Sequence, residues 1–129
     1  MTLAFWMILV AALLPYIGTG YAKFAEGGAR TYDNHAPRDG LETLPLRRRR
    51  AYWAQLNGFE AFPAFAAGVI VAQLAGASQV WIDTLASTFV ALRFIYTLLY
   101  IHDQATARSI VWAAGLACVV GLYVSAAVA

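Results

Sequence analysis

The amino-acid sequence predicts an all-α membrane protein built as a bundle of four transmembrane helices. Of its 129 residues, 61% are hydrophobic and only 12% are charged, whereas ordinary soluble domains have about 45–50% apolar and about 25% charged residues. The mean hydropathy is +0.62. Four long apolar stretches are separated by one polar connection and two short ones. We therefore expect a single transmembrane domain over 1–129, without a separate soluble part.

The first span is predicted over residues 2–22. A stretch of this length matches the roughly 20 apolar residues that cross a bilayer core about 30 Å thick, at about 1.5 Å per residue. No lysine or arginine precedes it, and no clear cleavage site leads into a soluble domain. We therefore expect a retained helix and not a cleaved signal peptide. Pro15 lies within this span and predicts a bend.

The polar connection over 23–50 fixes the orientation. It holds seven of the nine basic residues, ending in the run RRRR at 47–50. The positive-inside rule places the connection in the cytoplasm, so both termini of a four-span chain lie on the non-cytoplasmic side. Most of the arginine run is predicted to anchor to lipid headgroups, with a specific ligand role as the alternative. A nucleic-acid partner is excluded because the net charge is only +2 and the connection also carries four acidic residues.

The remaining spans are predicted over 52–76, 81–101 and 108–128. Few residues separate the second span from the third, as in a tight antiparallel helical hairpin. Pro63 predicts a bend in the second span. The only cysteine, Cys118, lies in the fourth span, which excludes an intramolecular disulfide and a CxxC metal or redox site.

Polar residues occur at matching depths in the second and third spans. Glu60 follows Arg50 by ten residues, which places it roughly 14 Å deep. A carboxylate at that depth needs a partner, and Arg93 reaches a similar depth on the third span. Asn57 shares the helical face of Glu60, and further polar side chains continue toward the cytoplasmic rim: Tyr96, Tyr100, His102, Asp103, Arg108 and Ser109.

This polar stripe has two interpretations. A Glu60–Arg93 pair could serve only to lock the register of the bundle. Alternatively, the run of donors, acceptors and fixed positive charge suits a small anionic polar ligand that enters from the cytoplasm.

Four sequence segments resemble the MAPEG family, the membrane-associated proteins in eicosanoid and glutathione metabolism. They are YDNHAPR at 32–38, N-x-x-E-x-x-P-x-F at 57–65, ALRFIYTLLYI at 91–101 and ARS at 107–109. Their order, the four-span layout and the chain length agree with the family, and the resemblance covers nearly the whole chain. It is greatest to bacterial members, which implies a bacterial inner membrane.

The resemblance implies a homotrimer that binds glutathione between neighbouring subunits near the cytoplasmic face. Asn57 and Glu60 match glutathione-contacting residues of the family, Arg93 matches the arginine that pairs with this glutamate, and Tyr100 matches a tyrosine that contacts the tripeptide. Arg108 matches an arginine proposed to stabilise the glutathione thiolate. Ser109 matches the serine beside that arginine in the prostaglandin synthase, where its hydroxyl could add a hydrogen bond to the sulfur.

The chain departs from the family at three of these places. Trp53 and Leu56 stand where eicosanoid-forming members carry arginines that hold glutathione carboxylates. Arg50, two turns before Asn57, is best placed to compensate. Tyr96 stands where the prostaglandin synthase has a histidine.

These observations predict a glutathione-dependent transferase or peroxidase that acts on lipophilic electrophiles reaching the sulfur from the bilayer. A guanidinium near the sulfur, supplied by Arg108, favours the nucleophilic thiolate over the thiol. The main alternative is a non-catalytic member of the same fold that binds lipid or a protein partner, or serves as an accessory subunit of a membrane complex. A small transporter or channel is less favoured, because no continuous polar path runs through the outer half of the spans.

Overall fold

The computed structural model describes residues 1–129 and contains no strands. Its five α-helices are α1 Leu3–Leu13, α2 Pro15–Phe24, α3 Leu46–Leu74, α4 Gln79–Ile101 and α5 Ala105–Ala127, with 3-10 turns at Gly28–Arg30 and Leu41–Thr43. Since α1 and α2 together form the first rod, the predicted all-α bundle of four rods is confirmed.

Three of the four rods are long and apolar enough to cross a membrane: Leu3–Phe24, Gln79–Ile101 and Ala105–Ala127. The fourth, α3, has 29 residues and is long enough, but it contains the arginine run together with Asn57 and Glu60. Arg50, Asn57 and Glu60, which help to lower its hydropathy, are also predicted site residues. The placement of this helix as the second span stays a prediction.

The polar connection between the first and second rods is shorter than the predicted 23–50. Helix α2 continues to Phe24 and α3 begins at Leu46, directly after Pro45. Arginine is a good helix former, and proline is well tolerated at the start of a helix. The run 47–50 therefore forms the first turns of α3 and does not belong to a loop.

The two prolines act differently. Pro15 separates α1 from α2 and occupies the first position of α2, where its missing N–H costs nothing. Its ring packs against Gly58 of α3, where an added Cβ would lie 2.8 Å from the proline Cγ. Pro63 lies inside α3, which continues as one helix to Leu74. The first rod is thus interrupted at its proline, whereas α3 is one continuous helix that includes its proline.

The bundle core joins α1, α3, α4 and α5 through small and medium apolar side chains. At its centre, the rings of Phe65 and Phe89 stack with centroids 4.0 Å apart. Many large apolar side chains remain exposed on the outer faces of the rods. In lipid, helices associate through close packing and polar contacts more than through the hydrophobic effect. The fully buried core residues include Ala4, Val69, Ala72, Ile82, Ala86 and Leu122.

The predicted headgroup anchor is wrong for Arg48, which is only 7% exposed. Its Nε donates to the carbonyl of Ala22 at 2.8 Å and its Nη2 to the carbonyl of Lys23 at 3.1 Å. These carbonyls belong to the last turn of α2, where helical carbonyls lack partners and a cation is favoured. Arg48 therefore ties α3 to the end of α2.

A second polar tie lies at the opposite end of the bundle and was not predicted from the sequence. Asp83 of α4 accepts a hydrogen bond from the backbone N–H of Ala4 at 2.8 Å and another from Gln79 Nε2 at 2.9 Å. Gln79 in turn accepts a bond from Gln73 of α3 at 2.9 Å. The carboxylate thus satisfies an otherwise unpaired N–H in the first turn of α1, where negative charge is favoured.

Candidate functional site

The centre of the predicted site is an amide that lies between two charges. Arg93 Nη2 donates to Asn57 Oδ1 at 2.9 Å, and Asn57 Nδ2 donates to Glu60 Oε2 at 3.3 Å. No direct ion pair joins Arg93 to Glu60, so the expected direct pair is wrong. Asn57 precedes Glu60 by three residues on the same face of α3, which places its side chain between the two.

Burial differs strongly across this chain of contacts. Arg93 is 6% exposed within the subunit, whereas Glu60 is exposed and Asn57 is partly buried. The buried cation therefore depends on the neutral amide oxygen, while the carboxylate keeps much of its hydrogen-bonding capacity free. A site of this kind offers an acceptor to a ligand cation beside donors for ligand carboxylates.

Two tyrosines carry the site from Arg93 toward the rim. The Arg93 guanidinium carbon lies 4.2 Å from the ring centroid of Tyr96, and the rings of Tyr96 and Tyr100 meet edge to face at 5.6 Å. The Arg108 guanidinium carbon then lies 4.2 Å from the ring centroid of Tyr100. Such cation–π contacts are favourable at these distances. They bring Arg93, Tyr96, Tyr100 and Arg108 into one continuous row.

Arg108 is directed toward this row and not away from the bundle. It begins the second turn of α5, and its guanidinium lies over Tyr100 of α4. Neither of the two salt bridges in the chain includes it. The face of the guanidinium is covered by the ring, but its N–H donors point along the plane and stay available to an anion.

Arg50, another predicted site residue, contacts an acidic side chain outside this row. Its Nη2 lies 2.6 Å from Asp103 Oδ2, across the turn between α4 and α5. Its neighbour Arg49 covers the ring of Trp53 at 5.1 Å. The direct contact of Arg50 with a ligand therefore stays a prediction, and its observed contact is with the turn that precedes Arg108.

Asn57 and Glu60 line two adjoining cavities. The one nearer the connection between α2 and α3 has a volume of about 450 Å³ and is completed by Trp53, Leu56, Tyr96 and Tyr100. The deeper one, of about 260 Å³, is mainly apolar and lies between α3, α4 and α5. Its further lining residues are Ala61, Ala64, Phe89, Arg93, Trp112, Gly115, Leu116 and Val119.

Three predicted site residues, Arg50, Arg108 and Ser109, line neither cavity, and of these Ser109 contacts only its own helix. Its side chain is exposed, and its hydroxyl donates to the carbonyl of Ala105 at 3.1 Å. This bond within α5 is a common alternative for a serine hydroxyl in a helix.

Sequence reasoning missed the apolar wall of the deeper cavity. Trp112 lines the cavity with Leu116 and Gly115. The available signal was its spacing of four residues from Arg108, which places both on one face of α5. No group of three metal-ligating side chains lies close enough together to hold a metal ion.

The comparison with protein families gives a match that spans nearly all of this structure. The model of the MAPEG family matches residues 3–128. The chain belongs to the MAPEG family. No curated protein and no solved structure gave a match. The family thus supports an integral membrane protein with an all-helical fold.

The MAPEG residues inferred from sequence fall into one part of the bundle. Asn57, Glu60, Tyr96 and Tyr100 face a common cavity, Arg93 is bonded to Asn57, and Arg108 covers Tyr100. Three helices, α3, α4 and α5, supply them. Arginines suit carboxylates and other anions, whereas an exposed glutamate suits an ammonium group, so the arrangement fits a ligand that carries both charges.

Proposed function

We propose that this MAPEG protein is a glutathione-dependent transferase or peroxidase that acts on hydrophobic electrophiles. The observation that carries the proposal is the position of Arg108, whose guanidinium covers Tyr100. Tyr100 lines the cavity of about 450 Å³ together with Asn57 and Glu60, and this cavity forms a polar groove. An arginine that extended into the lipid headgroups would have left the groove without a cation for a thiolate.

The residues of the groove have complementary roles in this proposal. Asn57, Arg93, Tyr96 and Tyr100 offer donors to the peptide and its carboxylates, and Glu60 offers an acceptor to its ammonium group. Glutathione supplies the thiol, which in its free form resembles other thiols with a pKa of about 8.5.

Arg108 favours the deprotonated form of a thiol held beside it. A positive charge within about 4–6 Å lowers the pKa of an acidic group by about 1–3 units. The guanidinium remains charged at a membrane boundary, where an ammonium would more readily lose its proton. Arg108 therefore raises the fraction of nucleophilic thiolate at neutral pH.

The deeper cavity supplies a place for the hydrophobic substrate. It shares Asn57 and Glu60 with the polar groove, and its remaining lining is mostly apolar, including Phe89, Trp112 and Leu116. An electrophile dissolved in the bilayer would be selected by apolar contact there, while the peptide would enter from water.

The oligomeric state of the protein, the membrane that holds it and its orientation there also belong to the proposal. We infer a homotrimer in a bacterial inner membrane, with the connection between α2 and α3 in the cytoplasm and both termini on the other side. The support is the family resemblance together with the position of seven basic residues at one end of the bundle.

Isothermal titration calorimetry of the purified protein with glutathione tests the proposal. Saturable binding is expected, with a large loss of affinity in Glu60→Ala. The thiolate absorbance of bound glutathione as a function of pH is expected to show a raised thiol pKa in Arg108→Ala. Arg30→Ala, in the cytoplasmic connection, is the matched control and is expected to bind like the natural chain. An absence of binding at millimolar glutathione would contradict the proposal.

A second function is favoured by one specific observation. Trp53 and Leu56 make part of the groove wall apolar, where eicosanoid-forming members of the family carry arginines. A non-catalytic protein that binds a lipid or a membrane partner, or acts as an accessory subunit, would suit such a wall. The same titration distinguishes the two, because this alternative predicts no saturable glutathione binding.

A further inference from the structure

The turn between α4 and α5 has an unusual residue at its tightest position. The N–H of Gln104 bonds to the carbonyl of Leu99 at 2.9 Å, and the N–H of Asp103 bonds to the carbonyl of Tyr100 at 3.2 Å. This pair of bonds is the Schellman arrangement that ends many helices, with a left-handed residue after the cap. That residue is Asp103, whose φ is +61°.

Asp103 occupies a backbone conformation for which glycine is the usual choice. A left-handed conformation costs a residue with a Cβ free energy that glycine does not incur, although aspartate tolerates it better than most. In return, its carboxylate receives Arg50 Nη2 at 2.6 Å. The choice of aspartate over glycine is explained if this carboxylate has a use.

The turn leads directly to Arg108. Helix α5 begins at Ala105, two residues after Asp103, and its N-cap residue Gln104 makes no side-chain capping bond. The start of α5 is therefore set mainly by the turn itself. Because Arg108 lies only one helical turn beyond this start, a rotation or fraying of the turn would displace its guanidinium from the ring of Tyr100.

We propose that Arg50 and Asp103 are positioning residues, whose ion pair fixes the turn between α4 and α5 and thereby holds Arg108 over Tyr100. This inference rests on the proposed function for its catalytic consequence, but the structural consequence can be measured without glutathione. It also assigns Arg50 an indirect role in place of the direct ligand contact predicted from sequence.

The ion pair acts on the turn more than on the whole bundle. The Asp103 side chain is 63% exposed and that of Arg50 is 20% exposed. Exposed ion pairs contribute little to overall stability, because water and salt screen them and two side chains lose freedom. Loss of the pair is therefore expected to leave the thermal unfolding midpoint nearly unchanged while loosening residues 103–108.

A double-mutant cycle with Arg50→Gln and Asp103→Asn tests the proposal. In the purified protein, each variant is expected to accelerate hydrogen exchange of the hydrogen-bonded amides of Asp103, Gln104 and Arg108 and to raise the apparent pKa of bound glutathione. A loss of thiolate of at most about fivefold is expected at neutral pH, because an exposed pair contributes up to about 1 kcal/mol. The double variant is expected to match either single variant, because both remove the same interaction.

Asp103→Gly is the most informative single variant. Glycine relieves the left-handed backbone, but it removes the carboxylate and with it the ion pair to Arg50. The proposal predicts normal folding with the same raised thiol pKa as Asp103→Asn. Asp39→Asn, which alters an acid of the cytoplasmic connection outside both salt bridges, is the matched control and is expected to change neither measurement.

Two results would overturn the proposal. If Arg50→Gln weakens glutathione binding while Asp103→Asn leaves it unchanged or tighter, Arg50 contacts the ligand directly. If neither variant changes hydrogen exchange at the amides of Asp103, Gln104 or Arg108, the pair does not hold the turn. Failure of the natural chain to bind glutathione would instead contradict the proposed function, and the exchange measurement would still decide the positioning role.

Discussion

Asn57 separates Arg93 from Glu60: its amide oxygen accepts a bond from the arginine at 2.9 Å, and its amide nitrogen donates to the glutamate at 3.3 Å. The neutral residue is therefore the one that satisfies the buried guanidinium. A direct ion pair would make Glu60 contribute more to stability than Asn57, and the observed arrangement reverses this order. Asn57 matters more for stability, and Glu60 is left available for a ligand.

Asn57→Ala is expected to destabilise the protein more than Glu60→Gln does. Removal of the amide leaves a donor of Arg93 without its acceptor in a buried position, at a cost of about 1.5–3 kcal/mol. Glu60→Gln keeps an acceptor for Asn57 Nδ2 and changes an exposed side chain, so its effect is expected to stay below about 1 kcal/mol. Unfolding in graded mixtures of mild and denaturing detergent measures both. Equal destabilisation by the two variants would contradict the bridging role.

Depth along the helices could be predicted from the sequence, but rotation about their axes could not. Counting residues from the predicted cytoplasmic rim brought Glu60 and Arg93 to a similar depth. The prediction that they lie near each other is therefore correct, although the direct pair is not. The count does not specify which of two side chains one turn apart reaches the partner helix first. The packing of α3 against α4 decides which side chain is closer, and in this structure Arg93 donates its hydrogen bond to Asn57 and not to Glu60.

The four arginines at 47–50 show a similar limit. Their composition indicates a cytoplasmic rim, yet it cannot separate a buried arginine from an exposed one within a single helical turn. Arg48 lies three residues before Ala51, a buried residue that packs against α2 near Gly18. This spacing is the only sequence signal for its burial. The length of apolar runs, by contrast, was sufficient to predict four rods.

Arg48→Ala is expected to destabilise the protein by about 2–4 kcal/mol. The change removes two bonds from a buried guanidinium and leaves the last carbonyls of α2 without partners. Arg47→Ala is the matched control from the same turn, since Arg47 is well exposed and makes only long contacts, at 3.5 Å with Glu26, 3.4 Å with His102 and 6.0 Å with the ring centroid of Tyr21. Its effect is expected to lie below about 1 kcal/mol.

The same detergent unfolding experiment compares these two arginine variants, and limited proteolysis of the connection between α2 and α3 reports the local effect. Faster cleavage is expected in Arg48→Ala alone. The interpretation of Arg48 as a tie between α2 and α3 fails if the two variants are equally stable.

Asp83→Ala is expected to loosen the start of α1. The carboxylate accepts the N–H of Ala4 at 2.8 Å, a role similar to an N-cap, whose loss costs about 1–2 kcal/mol. Asp83→Asn keeps an acceptor oxygen but loses the charge at the positive end of the helix, so a smaller effect of about 0.3–1 kcal/mol is expected. Hydrogen exchange of the first α1 amides measures the order: fastest in the alanine variant, intermediate in the asparagine variant. The opposite order would exclude capping by Asp83.

Gly58→Ala is expected to force α2 and α3 apart. A Cβ at this position would lie 2.8 Å from Cγ and 3.1 Å from Cβ of Pro15, and the ring of a proline at the start of a helix cannot rotate away. Overpacking of this kind costs about 1–3 kcal/mol. Gly20→Ala in α2 is the control, because nothing lies within 4 Å of its added Cβ.

Alanine replaces glycine favourably in an uncrowded helix, by up to about 1 kcal/mol, so Gly20→Ala is expected to be neutral or stabilising. The two substitutions are chemically identical, and a difference in the sign of their effects can come only from the contact with Pro15. Thermal unfolding of both variants in detergent provides the measurement. If Gly58→Ala proved as stable as Gly20→Ala, the close approach of the two helices would not be a requirement of the fold, and the interruption of the first rod at Pro15 would need another cause.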